Sequence, residues 1–260
     1  MSTRTLSSER DRKMTIILTP FMSCSAKLPI YGMITAAFFP HNGAFVMISL
    51  YVLGIIVAIL SGLIFKKTLF RGKPIPFIME LPAYRFPSAR SVVLHMWEKA
   101  KDFLKKAFTI IFVAAIIIWF LQSFDWSLNM VADSGHSMLA GIGSIIAPLF
   151  APIGFSDWRA STALITGLIA KESVVSTLSV LTGATGSTAL SQSLHTIFPS
   201  ALASFSFLAF TILYMPCVAA FAATKRELGS LKGALLTALY QTSVAYIVAV
   251  LIFQIGQIFI

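Results

Sequence analysis

Charged residues are scarce in this sequence. Only 12% of its 260 residues are Asp, Glu, Lys or Arg, whereas 57% are hydrophobic. Soluble domains usually carry about 25% charged residues, and the mean hydropathy here is +0.85. This composition excludes an ordinary soluble fold. It predicts an all-α polytopic membrane protein whose apolar helices cross a bilayer.

Acidic residues are the scarcest charged type, 10 against 20 Lys and Arg, which gives a net charge of +10. The segment 66–106 contains ten basic and three acidic residues and so carries +7 of that charge. A basic loop between two apolar spans is expected on the cytoplasmic side of a membrane. The positive charge therefore indicates orientation, and no nucleic-acid partner is predicted.

Cysteine and histidine are also few, with two Cys and four His in the chain. The sequence has no Cys-x-x-Cys pair and no His cluster with metal-ligand spacing. It also lacks a Gly-x-x-x-x-Gly-Lys-Ser/Thr motif, so no GTP site is expected within these residues. Any metal site must therefore be assembled from residues that are far apart in the sequence.

The apolar stretches predict about seven membrane segments, several of them broken by proline. The loops at 41–43, 125–137 and 182–200 contain no Lys or Arg and are predicted to lie outside. Residues 1–13 are polar and basic and read as a cytoplasmic lead-in. The stretch 91–106 alternates apolar and charged residues, which favours an amphipathic helix at the inner surface. A plain cytosolic helix explains the same pattern.

The segment 18–30 is apolar, yet Pro20 and Pro29 bracket one thiol and one ammonium group within it. A proline inside a helix removes a backbone donor and clashes with the preceding turn. Interrupted backbone at membrane depth is tolerated where it is buried in protein or lines a wet cavity. Cys24 is therefore a candidate ion ligand, and the alternative is a small apolar packing residue.

A second segment near a proline contains the same Met-x-Cys motif as the first. Met22 and Cys24 lie beside Pro20, and Met215 and Cys217 flank a further proline near the other end of the chain. Paired broken segments in two parts of a chain point to a transporter site between them. Thiolate and thioether sulfurs suit borderline and soft metal ions, so these four residues are candidate ligands.

Lys171 and Glu172 lie together inside the apolar stretch 162–181. A charge at the bilayer centre costs at least about 2.5–3.5 kcal/mol, so each should face a cavity or a partner. Neighbouring residues on a helix point about 100° apart, since i,i+1 side chains do not share a face. Glu172 is thus a candidate for the ion path, while Lys171 either finds carbonyls or extends its amine to the membrane surface. The alternative is that both lie at the membrane interface.

Five separated motifs resemble, in the same order, the membrane part of the bacterial ferrous iron transporter B (FeoB) family. They are residues 3–12, 18–31, 77–84, 170–178 and 214–219. The resemblance implies a transporter rather than an enzyme, Fe2+ as the transported substrate and a multi-pass protein of the bacterial inner membrane. It also makes Cys24, Cys217, Met22, Met215 and Glu172 the metal-facing candidates.

The resemblance further implies a division of the chain. Residues 1–65 correspond to a partial first gate and the following span, 66–106 to the basic cytoplasmic loop, and 107–260 to the membrane core with the second gate. Proteins of the family begin with a cytosolic G domain and with a further gate cysteine, and both are missing here. The expected partners are therefore a G domain on another chain or in a missing upstream segment, membrane lipid and, in a homo-oligomer, further copies.

Two other interpretations stay open at this point. A nucleoside or other solute carrier with gate architecture would share the same broken spans. A non-transporting remnant of a truncated transporter would also have these sequence features.

Overall fold

The computed structural model describes residues 3, 6, 8–69, 88–106, 112–131, 134–183, 186–215 and 217–259. These residues are nearly all helical, and the described part contains no strand beyond one isolated bridge between Phe124 and Met130. The prediction of an all-α protein is confirmed. The helices are α1 (Glu9–Leu18), α2 (Leu28–Phe38), α3 (Gly43–Lys67), α4 (Ala89–Lys106), α5 (Phe112–Ser123), α6 (Met138–Ile146), α7 (Trp158–Gly167), α8 (Ser173–Thr182), α9 (Ser187–Ile197), α10 (Ala201–Leu213), α11 (Val218–Leu228) and α12 (Leu231–Phe259).

Three helical stretches among the described residues are long and apolar enough to cross a membrane: Gly43–Lys67, Ala201–Leu228 and Leu231–Phe259. A fourth is added if Met138–Ile153 and Trp158–Gly167, which meet at 100°, form one bent span. The predicted number of about seven thus stays a prediction. The expected span 107–124 lies partly outside the described residues.

The first apolar segment is interrupted between α1 and α2. Ser8 begins α1, where its Oγ accepts a hydrogen bond from the Asp11 amide at 3.3 Å, so the helix starts inside the polar lead-in. A 3-10 turn (Thr19–Phe21) follows α1, Cys24 is extended, and a second 3-10 turn (Ser25–Lys27) leads into α2. Residues 19–27 therefore form no regular α-helix between α1 and α2.

Helix α10 is the centre of the molecule, since every residue from 206 to 214 is buried. Phenylalanine rings pack around it: Phe207 lies 4.8 Å from Phe198 and 5.3 Å from Phe155, measured between ring centroids. Helix α12 runs beside α10 with Ala245 and Ala249 fully buried. The outer face of α3, in contrast, exposes apolar side chains as a lipid-facing helix does.

Gly54 on α3 lets the first interruption approach closely. A Cβ at this position would lie 2.8 Å from the carbonyl oxygen of Phe21, closer than real Cβ contacts allow. A residue with a side chain would therefore push α3 away from the turn that precedes Cys24.

Two predicted connections contain helices. The stretch 182–200, predicted only as an outside loop, includes α9. The amphipathic helix predicted at 91–106 is present as α4, with Val93 and Trp97 exposed. The proline-containing stretches at 72–76 and 81–82 lie outside the described residues.

Candidate ion site

Three interrupted stretches meet at the C-terminal end of α10. The first lies between α1 and α2, the second (168–172) between α7 and α8, and the third (214–217) between α10 and α11. The second and third are joined directly, because the Val218 amide donates to the Leu168 carbonyl at 2.8 Å. The first reaches α10 through Lys27, whose Nζ donates to the Ile212 carbonyl at 2.7 Å.

The end of α10 presents carbonyl oxygens without helical partners. Tyr214 closes the last turn by donating its amide to the Phe210 carbonyl at 2.8 Å. The carbonyls that follow belong to the last turn, where helices leave acceptors open and carry partial negative charge. For Ile212 the sequence itself removes the usual donor, since residue 216 is a proline and has no N–H.

Lys27 satisfies one of these carbonyls from within the first interruption. Its residue is only 4% exposed. Besides Ile212, its Nζ donates to the Met22 carbonyl at 3.3 Å. A buried amine is tolerated where its donors are used, so Lys27 ties the first interruption to α10.

Lys171 reaches the same helix end from the second interruption. It is 3% exposed, and its Nζ lies 3.5 Å from the Thr211 carbonyl. The same nitrogen lies 3.0 Å from the centroid of the Tyr214 ring, which makes a cation–π contact. The Tyr214 hydroxyl in turn donates to the Leu164 carbonyl at 3.1 Å, which fixes the ring.

Gly167 makes room for that ring. A Cβ there would lie 2.5 Å from the Tyr214 hydroxyl oxygen and 2.6 Å from Val174 Cγ2. Unlike the neighbour of Gly54, both of these atoms belong to side chains.

A cavity of about 290 Å³ opens between these elements. Cys24 and Cys217 both line it, so thiols from the two Met-x-Cys segments share one space. Met22, Lys27, Lys171 and Tyr214 contribute to the same wall. The remaining lining residues are Thr3, Ile16, Thr19, Pro20, Ala220, Ala223, Thr224 and Glu227.

Two of the predicted site residues lie elsewhere. Met215 is half-buried and packs against the hydrophobic core, and it does not line this cavity. Glu172 is exposed at the start of α8 and is not part of the cavity wall either. The structure therefore brings together Met22, Cys24 and Cys217 of the five candidates. Within the described ranges, no group of three or more His, Cys, Asp or Glu is close enough to hold a metal ion.

Sequence reasoning did not single out Lys27 or Tyr214. Lys27 carried a usable signal, because a lysine inside an apolar, proline-flanked segment faces the same membrane-depth cost as Lys171. Tyr214 carried none, since one tyrosine at a helix end is an ordinary interfacial residue.

Interrupted apolar helices around a cavity lined by two lysines and two cysteines are an arrangement that helical membrane transporters use. Two families match the sequence of this chain. Residues 47–99 match the C terminus of ferrous iron transport protein B, and residues 104–231 match the Gate family, described as nucleoside recognition.

Named relatives match over nearly the whole chain. The Fe(2+) transporter FeoB of Methanocaldococcus jannaschii is 40% identical over 265 residues, which cover 99% of this chain and 39% of the relative. A Fe(2+) transport protein A/Fe(2+) transporter FeoB fusion protein of Porphyromonas gingivalis is 38% identical, over 100% of this chain and 36% of the relative. The FeoB of Staphylococcus aureus is 37% identical, over 100% of this chain and 39% of the relative.

Over its whole length the chain is similar to part of these FeoB proteins. It spans well under half the length of these relatives, between 36% and 39%. No solved structure is significantly similar to it.

Proposed function

We propose that this chain is the membrane permease part of a ferrous iron uptake transporter, and that Fe2+ passes through the cavity where the three interruptions meet. One observation carries the proposal: Cys24 and Cys217, from opposite ends of the chain, line the same cavity in a chain that is similar to part of FeoB proteins. An isolated packing role for each thiol gives no reason for them to share one wall.

The cavity offers chemistry that suits a cation in transit. Fe2+ accepts thiolate and thioether ligands, which Cys24, Cys217 and Met22 supply. A site with few ligands from separate elements binds weakly enough for the ion to leave, as conduction requires.

The wider arrangement is part of the same proposal. The chain crosses a bacterial inner membrane about seven times, with proline-broken segments forming the gates. Residues 1–65 form a partial first gate and span, 66–106 the cytoplasmic loop, and 107–260 the core with the second gate. Its proposed partners are membrane lipid, a G domain on another chain or in an upstream segment, and further copies of itself.

An anaerobic titration of Fe2+ tests the thiol site. The purified chain should bind Fe2+, and Cys24→Ser, Cys217→Ser and the double variant should each weaken binding by roughly tenfold or more. Because both residues act in one site, the double variant should cost little more than either single one. Binding should also weaken at low pH, since protons compete with the metal for thiolate ligands.

A matched methionine pair sharpens this titration. Met22 lines the cavity and Met215 does not, so Met22→Leu should weaken Fe2+ binding while Met215→Leu should not. Unchanged affinity in the double serine variant, with the fold intact, would remove the thiol site. Unchanged binding in Met22→Leu would remove Met22 from the site, and weaker binding in Met215→Leu would restore the prediction for Met215.

The Gate match favours a second candidate, a nucleoside or other solute carrier, because that family is described as nucleoside recognition. A labelled nucleoside that binds the chain and is displaced by excess unlabelled nucleoside, but not by Fe2+, would support it. Binding of neither ligand by the folded chain would leave the non-transporting remnant.

A further inference from the structure

Two lysine amines lie against neighbouring carbonyls of one helix end. Lys171 Nζ lies 3.5 Å from the Thr211 oxygen, and Lys27 Nζ lies 2.7 Å from the next one along, Ile212. Carbonyls at the C-terminal ends of broken helices are the groups with which many transporters bind cations. In this chain such oxygens are occupied by side-chain nitrogen.

We propose that the carbonyl oxygens of Met22 and Ile212 form a cation site in which the Lys27 ammonium stands in place of a metal ion, so that Lys27 decides which cations the cavity accepts. The inference rests on the proposed function, because it assumes that cations enter this cavity. It adds a specificity-determining residue, Lys27, whose Nζ donates to the backbone oxygens of Met22 and Ile212.

The selectivity follows from ligand preference. Carbonyl oxygens suit Mg2+ and Mn2+, whereas thiolates suit softer and borderline ions. With Lys27 in place, the oxygen pair is filled and the accessible ligands are the sulfurs of Cys24, Cys217 and Met22. An ion that needs oxygen ligands then finds none free in this pair, while an ion that accepts sulfur still binds.

Lys27 fits this role better than Lys171. Both of its hydrogen bonds go to carbonyl oxygens, and the two oxygens come from different interruptions, so its removal leaves a preformed pair. Lys171 makes one long contact to a carbonyl and lies mainly against the Tyr214 ring. Its removal exposes an aromatic face and one oxygen. Each lysine contributes one charge to the same cavity, so Lys171 is a matched control for charge alone.

The test measures Mn2+ binding by electron paramagnetic resonance on the full chain in detergent. All variants carry Cys24→Ser and Cys217→Ser, so sulfur ligands from cysteine do not contribute. Lys27→Met should bind Mn2+ roughly tenfold tighter than both the parent and Lys171→Met, a difference of about 1.4 kcal/mol. Lys27→Arg, which keeps a cation at the site, should bind no tighter than the parent.

Equal gains in Lys27→Met and Lys171→Met would show a general charge effect and overturn the proposal, as would no gain in either. If the methionine variants do not fold, Lys27→Leu and Lys171→Leu, which also remove the N–H donors, decide the same comparison. Failure here is distinct from failure of the iron site, because that site is tested by Fe2+ in chains that keep both cysteines. A gain for Mn2+ without thiol-dependent Fe2+ binding would keep the oxygen site and remove the iron path.

Discussion

The first and second interruptions each place a buried lysine at the end of α10, but they hold it differently. Lys27 is held by two carbonyl oxygens, from Met22 and Ile212. Lys171 is held mainly by the Tyr214 ring, which the Leu164 carbonyl fixes in turn. Two carbonyl oxygens can bind a metal ion in place of the lysine ammonium. The packed Tyr214 ring, in contrast, contacts Lys171 through its face and offers no oxygen ligand there. The first interruption can thus exchange its lysine ammonium for another cation, whereas the contacts of Lys171 in the second interruption stabilise the fold.

The largest expected effect breaks the packing on which the first interruption depends. Gly54→Ala places a Cβ 2.8 Å from a backbone oxygen, that of Phe21, which cannot turn aside. Overpacking of this kind costs about 1–3 kcal/mol, and we expect the upper end. Gly167→Ala meets the Tyr214 hydroxyl and a methyl group of the buried Val174, so the ring must give up its bond to the Leu164 carbonyl. Because side chains yield more easily than backbone, its cost should still be the smaller of the two. Thermal unfolding in detergent measures both.

Gly32→Ala is the control for these variants. It lies within α2, and a Cβ there would meet nothing within 4 Å. Alanine is favoured over glycine in a helix by up to about 1 kcal/mol, so this variant should be at least as stable as the parent. A larger loss for Gly167→Ala than for Gly54→Ala would reverse the comparison, making the second interruption the less tolerant one.

A smaller effect separates the ring from the hydroxyl at Lys171. Tyr214→Phe keeps the ring and loses the bond to the Leu164 carbonyl, which should cost about 1 kcal/mol. Tyr214→Leu also loses the cation–π contact, worth about 2 kcal/mol where it is desolvated. The free energies of unfolding of the two variants should therefore differ by about 2 kcal/mol. Equal stabilities would mean that the ring contributes packing alone and that Lys171 depends on its carbonyl.

The helical class could be predicted from the sequence, because low charge and long apolar stretches are local signals, and it is confirmed. The breaks by proline stay a prediction. The sequence also put forward Cys24, Cys217 and Met22 as candidate ligands, and these three residues line one cavity. The sequence could not show that Met22 lines the cavity and Met215 does not, since both are the first residue of a Met-x-Cys motif. Which of them faces the cavity depends on how α10 and α11 turn relative to the first interruption, and that is fixed by packing between distant elements.

The pairing of lysines with carbonyls was hidden for the same reason. Lys27 and Ile212 are joined by a contact between the two ends of the chain, and no periodicity in either segment encodes it. Lys171 was expected to find carbonyls, and it does so at Thr211. The Tyr214 ring beside it had no sequence signal. Local patterns therefore located the residues with unusual chemistry, while the partners of those residues came from the tertiary fold.

The smallest effect on transport is expected at Glu172. In the second interruption, Glu172 and its neighbour Lys171 lie in different environments. Lys171 is buried in the cavity wall, whereas Glu172 is exposed outside that wall. An exposed carboxylate acts on a cation path only through screened charge, which weakens over about 8–10 Å. We therefore expect Glu172→Gln to lower Fe2+ uptake by no more than roughly twofold to fivefold, and still by more than it lowers membrane abundance.

Uptake of Fe2+ into vesicles that contain the variant, together with the proposed G-domain partner, measures this effect against that of Cys24→Ser. Glu172→Asp keeps the charge and serves as the control. A loss in Glu172→Gln as large as that in Cys24→Ser, with Glu172→Asp unaffected, would place the carboxylate in the ion path in another state of the protein. Uptake equal to the parent would assign Glu172 to the membrane interface and leave Lys171 as the functional half of the pair.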